Sequence, residues 1–92
     1  MSEQKLQKKI LDWLKANGFW VFKTIVCNRK GIMDIVACSP KGKFVGIEVK
    51  LDYNKPTKLQ AWNISEVCKC NGIAFVAYDL ETVKETLKDE LI

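Results

Sequence analysis

The sequence predicts an α/β fold with the element order α-β-β-β-α-β-α. Three observations carry that expectation. Apolar residues recur at helical spacing in three stretches, at the N-terminus, in the middle and at the C-terminus. Between them lie short runs rich in Val, Ile, Phe and Ala, of strand length and bounded by turn residues. The length of 92 residues, 48% hydrophobic and 28% charged, fits one small globular domain spanning 1–92 rather than a disordered chain.

Residues 3–16 form the first helix. Leu6, Ile10, Trp13 and Leu14 make one stripe, Ser2 stands as N-cap, and Gly18 sits where a helix end favours a left-handed residue. Traced backwards, the same stripe takes in Gln7 and Glu3, so two polar side chains face the buried side and need partners. Residues 19–25 are aromatic and β-branched, a strand. A basic loop, 27–31, leads to strands at 33–38 and 43–50, joined by the turn Ser39-Pro40-Lys41-Gly42-Lys43. Pro56 is expected in the first turn of a second helix that runs to about Asn71 and stops at Gly72. Its inward side is read as Leu59, Ile64 and Val67, with Gln60 in the same arc and Trp62 pointing away. Residues 73–78 are almost wholly apolar, a strand covered on both faces. Asp79 caps a last helix carrying Leu80, Val83, Leu87 and Leu91.

Composition narrows the chemistry. There is no histidine, which removes Ser-His-Asp and Cys-His catalysis and histidine zinc sites. No phosphate-binding glycine loop of the Walker or dinucleotide type occurs. The four cysteines, Cys27, Cys38, Cys68 and Cys70, lack zinc-site spacing and are expected as free thiols. With no apolar leader and no membrane-length apolar run, a cytoplasmic location is expected. A net charge of +4 suits a nucleic-acid partner without requiring one. So small a core makes a homodimer an expectation.

The chemistry concentrates in residues 31–50. Asp34 opens one strand of the hairpin, and Glu48 and Lys50 close the other. Strand alternation puts Glu48 and Lys50 on one face and Val45, Ile47 and Val49 on the other. Two carboxylates and an amine meeting on one hairpin suit metal-dependent phosphodiester cleavage. Asp34 and Glu48 offer hard oxygens to a divalent ion, and the Val49 carbonyl lies between the two inward-facing residues as a further donor. Lys50 stands to hold the attacking water or to offset charge developing on phosphate. Glu3 is a third candidate carboxylate, acting through metal-bound water, and Gln60 a candidate to orient a phosphate oxygen or Lys50.

These residues resemble a known family. Gly31-Ile32-Met33-Asp34, Ile47-Glu48-Val49-Lys50, Glu3 in the first helix and Gln60 after the loop, in this element order, look like the PD-(D/E)XK nucleases. The nearer resemblance is to the VRR-NUC subgroup in its stand-alone form, found mainly in phages and bacteria. Met33 departs from the proline often found before the motif Asp. The resemblance implies a restriction-endonuclease-like mixed sheet flanked by helices, Mg2+ or Mn2+ as cofactor, and structure-selective cleavage of branched or junction DNA. Archaeal-type junction resolvases share a similar layout.

Each residue also has a plainer role. Glu3 suits any first helical turn, and Gln60 any helix end. Lys41, Lys43, Lys55 and Lys58 are candidate phosphate contacts or ordinary surface lysines. Trp20 and Trp62 are candidates for base stacking, for core packing or for dimer packing. A nucleic-acid-binding or assembly protein that keeps the fold without catalysis is the alternative from another class. A hydrolase acting on RNA is another.

Overall fold

The computed structural model describes residues 1–92. In chain order it contains α1 (Glu3–Ala16), β1 (Trp20–Lys23), β2 (Ile35–Cys38), β3 (Phe44–Val49), α2 (Lys58–Lys69), β4 (Ile73–Ala77) and α3 (Leu80–Leu87). A short 3-10 turn, Lys88–Glu90, follows. The order α-β-β-β-α-β-α is the one that the periodicities predict. No helix is long and apolar enough to cross a membrane.

The four strands make one mixed sheet in the order β1-β2-β3-β4. β1, β2 and β3 are antiparallel, with Ile35 opposite Ile47 and Val36 opposite Gly46. β4 joins β3 in parallel, Glu48 opposite Val76. The two sheet faces have different fates. Ile35, Ala37, Val45, Ile47 and Val49 lie on one face and pack with Leu6, Ile10 and Leu14 of α1 and Val83 and Leu87 of α3 into the main core. Four of the five sheet residues are β-branched, a shape that fits a pleated, buried surface. α2 packs on β3 and β4 from the opposite side, where Met33 covers Gly46 so closely that a Cβ there would meet the Met33 Cε at 2.5 Å.

Local signals account for the helix starts. Ser2 accepts the Lys5 N–H at 3.1 Å to open α1. Asp79 accepts the Thr82 N–H and its hydroxyl, both at 2.7 Å, to open α3. These bonds hold the Asp79 carboxyl below its usual pKa, because hydrogen bonds from Thr82 favour the ionised form. Asp79→Ala is expected to lower stability by about 1 kcal/mol, the usual worth of such a cap. Asp79→Asn, which keeps the acceptor, is expected to recover most of it in urea denaturation. Equal losses in both would rule out the cap.

Several expectations change. Pro56 lies outside α2, whose N-cap is Thr57. Thr57 Oγ1 accepts the Gln60 N–H and the Gln60 Oε1 accepts the Thr57 N–H, a reciprocal cap that fixes the start two residues later than the proline suggests. The left-handed residue after α2 is Asn71, with φ of 67°, rather than Gly72. Asparagine tolerates that region better than other residues with a Cβ. The inward side of α2 is centred on Asn63, the one buried residue of the helix, while Leu59 is 45% exposed. On β4, Ile73, Phe75 and Val76 are only half-buried because the strand forms the sheet edge. Leu91 lies beyond α3, after the 3-10 turn, and packs at the border of the core.

Candidate active site

Glu48 is the penultimate residue of β3, and alternation carries it onto the face opposite the main core. It is nevertheless 3% exposed, a buried carboxylate. Gln60 Nε2 donates to its Oε2 at 3.2 Å, and Lys50 Nζ stands 3.7 Å from the same oxygen. Its other oxygen, Oε1, is buried without a hydrogen-bond partner. Gln60 thus does two things at once: its carbonyl oxygen caps α2 and its amide nitrogen holds Glu48.

Asp34 lies just before β2, on the same face. Its Oδ2 accepts the Val49 N–H at 2.8 Å, and its carbonyl accepts the Thr24 N–H at 2.8 Å. The Asp34 carboxylate is therefore fixed across the hairpin to the strand that carries Glu48. Burial raises the Glu48 pKa from 4.5 to about 7, and the neighbouring Asp34 charge adds to the rise. Lys50 pulls it down, while the charge of Glu3 pushes it up. The balance is an acidic pair with too little positive charge beside it.

The remaining candidates fall in different places. Glu3, half-buried in the first turn of α1, faces the site closely enough to act on Glu48 through its charge. It does not join Asp34 and Glu48 in a set of three metal-binding side chains. Val49 lies between Glu48 and Lys50 with a wholly buried side chain, its amide engaged by Asp34. Lys55 and Lys58 are exposed near the start of α2, on the same stretch as Gln60. Lys41 and Lys43 belong to the hairpin turn, at the far end of the strands from Glu48. Lys41 Nζ is bound to the Asp89 carbonyl at 2.8 Å, a contact that fastens the turn to the C-terminal segment. All four cysteines are free thiols.

Two supports of the site escape a reading of the motif residues alone. Asn63 Nδ2 lies 3.1 Å from the carbonyls of Lys30 and Gly31, and the same distance from that of Leu59 in its own helix. It ties the loop before Asp34 to α2. Its signal in the sequence is a polar residue four positions from both Leu59 and Val67, on the apolar arc of a helix. Gly31 adopts φ of 74° and approaches α2 so closely that a Cβ would stand 2.7 Å from Leu59 Cγ. The glycine of the motif thus has a steric reason: only it lets the loop dock on α2 and deliver Asp34.

No family model and no curated protein matches the sequence. A comparison of folds does find a relative. A solved structure described as "VRR_NUC domain" superposes with a TM-score of 0.81, covering 94% of this chain and 94% of that chain at 25% identity. The superposition spans both the sheet and its flanking helices, and so the hairpin that carries Asp34, Glu48 and Lys50 sits within the fold of a VRR_NUC domain, the α/β core that its motifs resemble.

Proposed function

We propose that the chain is a divalent-metal-dependent DNA endonuclease, hydrolysing phosphodiester bonds at the site built on the β2–β3 hairpin. One observation carries this reading: a buried Glu48 with an unpartnered oxygen, pressed against a second carboxylate, on a chain folded like a VRR_NUC domain. A burial that costs a carboxylate this much has a purpose if a cation completes the site.

The residues fit such an ion. Both side-chain donors are hard carboxylate oxygens, the orphaned Oε1 of Glu48 has lone pairs to give, and one lysine does not offset two neighbouring acids. Fewer than three acidic side chains converge, which suits Mg2+ or Mn2+, ions that retain water and take substrate oxygens. Asp34 and Glu48 would hold the ion, with the Val49 carbonyl as a further donor and Glu3 reached through water. When bound, it supplies polarisation of the phosphate and acidification of a water molecule.

The chain's own residues do the rest. Val49 N–H orients Asp34, and Gln60 Nε2 orients Glu48, so neither carboxylate has to be ordered when substrate arrives. Lys50 is 19% exposed, buried enough for its charge to be felt strongly and open enough to reach a phosphate oxygen or the attacking water. Lys55 and Lys58 provide positive charge near the start of α2 for flanking phosphates. The proposed substrate is branched or junction DNA in the cytoplasm. Cutting two strands goes with a homodimer, since one site cuts one strand.

The test is direct. With Mg2+ or Mn2+, the protein is expected to cut at least one of branched, flap, single-stranded and duplex DNA. Asp34→Asn and Lys50→Ala are each expected to slow cleavage at least about a hundredfold, the usual effect of losing a charge-stabilising group. A parent protein that cuts none of these, or variants that cut as fast as the parent, would remove the reading. Cleavage of the matching RNA alone would reassign the substrate.

A further inference from the structure

The sheet face that carries Asp34 and Glu48 is only half covered. α2 lies over β3 and β4, and no helix lies over β1 and β2 on this face. Register places Trp20 beside Cys38, Phe22 beside Val36 and Cys38 beside Phe44, all on the face of Glu48. Trp20 is 67% exposed, Phe22 and Phe44 are each 44% exposed, and Trp62 of α2 is 48% exposed. None of the four is a core residue, so the packing reading of Trp20 and Trp62 fails within one copy of the chain. Between α2 and the β2–β3 hairpin runs a groove of about 650 Å³, with Phe44 and Trp62 on its walls.

Three features of the groove point to its occupant. A smaller pocket of about 270 Å³ reaches Asp34 and shares Arg29, Ile32 and Met33 with the groove, so the two adjoin at the loop that leads to Asp34. Beside them β2 extends about 14 Å at the usual rise per residue, the scale of a short stretch of extended strand. The walls also carry positive charge in excess. The Arg29 guanidinium stands 5.8 Å over the Trp62 ring, and neither Arg29 nor Lys43 is in an ion pair. The acid on the wall, Glu66, is paired with Lys69 at 3.1 Å. Aromatic faces with interleaved, unpaired cations match a chain of bases and phosphates better than an apolar protein surface.

We propose that this groove binds unpaired nucleotides of a DNA strand on their way to the hairpin site, with bases stacked on Trp62 and Phe44 and phosphates held by Arg29 and Lys43. A base inside a duplex has no free face for a side chain, so the groove selects single-stranded segments such as those beside a branch. Trp20 and Phe22, in edge contact at 5.4 Å between ring centres, extend the platform across β1. This deepens the nuclease reading and rests on it for direction, but the binding step is separable from cleavage.

The experiment uses the full chain carrying Asp34→Asn, without divalent metal, so that binding is read whether or not the protein cuts. Fluorescently labelled oligothymidylate is the probe, with a duplex of equal length beside it. Oligothymidylate is expected to bind more tightly than the duplex and to quench tryptophan fluorescence. Trp62→Ala and Phe44→Ala are each expected to weaken binding by about five- to a hundredfold, the range for one stacked base. Lys43→Ala is expected to lower the slope of log affinity against log salt by about one. Trp62→Phe keeps an apolar ring in place if the alanine variant folds poorly, and is expected to retain binding while losing the Trp62 share of the quenching. Sedimentation is expected to give the same mass for all variants. Unchanged affinity in both alanine variants, or tighter binding of the duplex, would overturn the proposal. A change in mass on substituting Trp62 or Phe44 would also overturn it, because the face would then be a contact between copies.

Discussion

Glu48→Gln is expected to abolish cleavage and, in metal-free buffer above neutral pH, to make the protein more stable. The second half of that result follows from the direction of the Glu48 pKa. Folding raises it from 4.5 to about 7, so the folded chain holds this proton more tightly than the unfolded one. The corresponding stabilisation is present in full below about pH 4.5, declines as pH rises, and is lost above about pH 7. At roughly 1.4 kcal/mol per unit this amounts to about 3 kcal/mol. Glutamine has the same shape, never ionises, and keeps an acceptor for Gln60 Nε2. The attraction to Lys50 at 3.7 Å, which glutamine loses, is already contained in the raised pKa. The gain at pH 8 is then about 3 kcal/mol, or roughly 15 °C in Tm for a domain of this size. At pH 4 the gain vanishes. Mg2+ is expected to raise the Tm of the parent at pH 8 and to leave the variant unmoved, since binding to the folded state alone stabilises by mass action. A variant no more stable than the parent at pH 8 in chelator would show that Glu48 is not held at such a cost.

Gly31→Val is expected to destabilise the fold by about 3 kcal/mol and to reduce activity beyond what the unfolded fraction explains. A side chain at φ of 74° costs about 1 kcal/mol on its own. The Cβ would also stand 2.7 Å from Leu59 Cγ, 3.0 Å from the Leu59 carbonyl carbon and 3.0 Å from Asn63 Nδ2. Two of those neighbours belong to side chains, but the third is helix backbone, so the loop must lift. Lifting it breaks the Asn63 contacts to the Lys30 and Gly31 carbonyls and moves Asp34. Urea denaturation reads the stability loss. Cleavage by the folded fraction, measured at low temperature, reads the displacement of Asp34. If both stay within error of the parent, the glycine has no role in docking the loop.

Most of the elements were legible because their causes are local. The stripe Leu6, Ile10, Leu14 and the cap Ser2 define α1 to the residue, and Asp79 does the same for the start of α3. Alternation along residues 44–50 correctly sorts Val45, Ile47 and Val49 from Glu48, because a strand has a period of two whatever surrounds it. The end of α2 is misread because two residues compete for the left-handed position, and Asn71 takes it. Its start is misread because Thr57 and Gln60 cap each other beyond Pro56, a pattern that the sequence contains but that proline obscures.

The sequence by itself determined the strand order along the chain, the hairpin and the shared face of Glu48 and Lys50, each a consequence of local periodicity and turn chemistry. Only the tertiary structure decided what that shared face is. It buries Glu48 while leaving one oxygen unpartnered, fastens Asp34 to Val49, and brings Asn63 under the loop from 32 residues away in the chain. It also leaves Trp20, Phe22, Phe44 and Trp62 in the open along the side of the sheet that carries the carboxylates. Periodicity says which residues stand together on a face. Whether another element covers that face depends on contacts between segments far apart in the chain, and no local pattern encodes those.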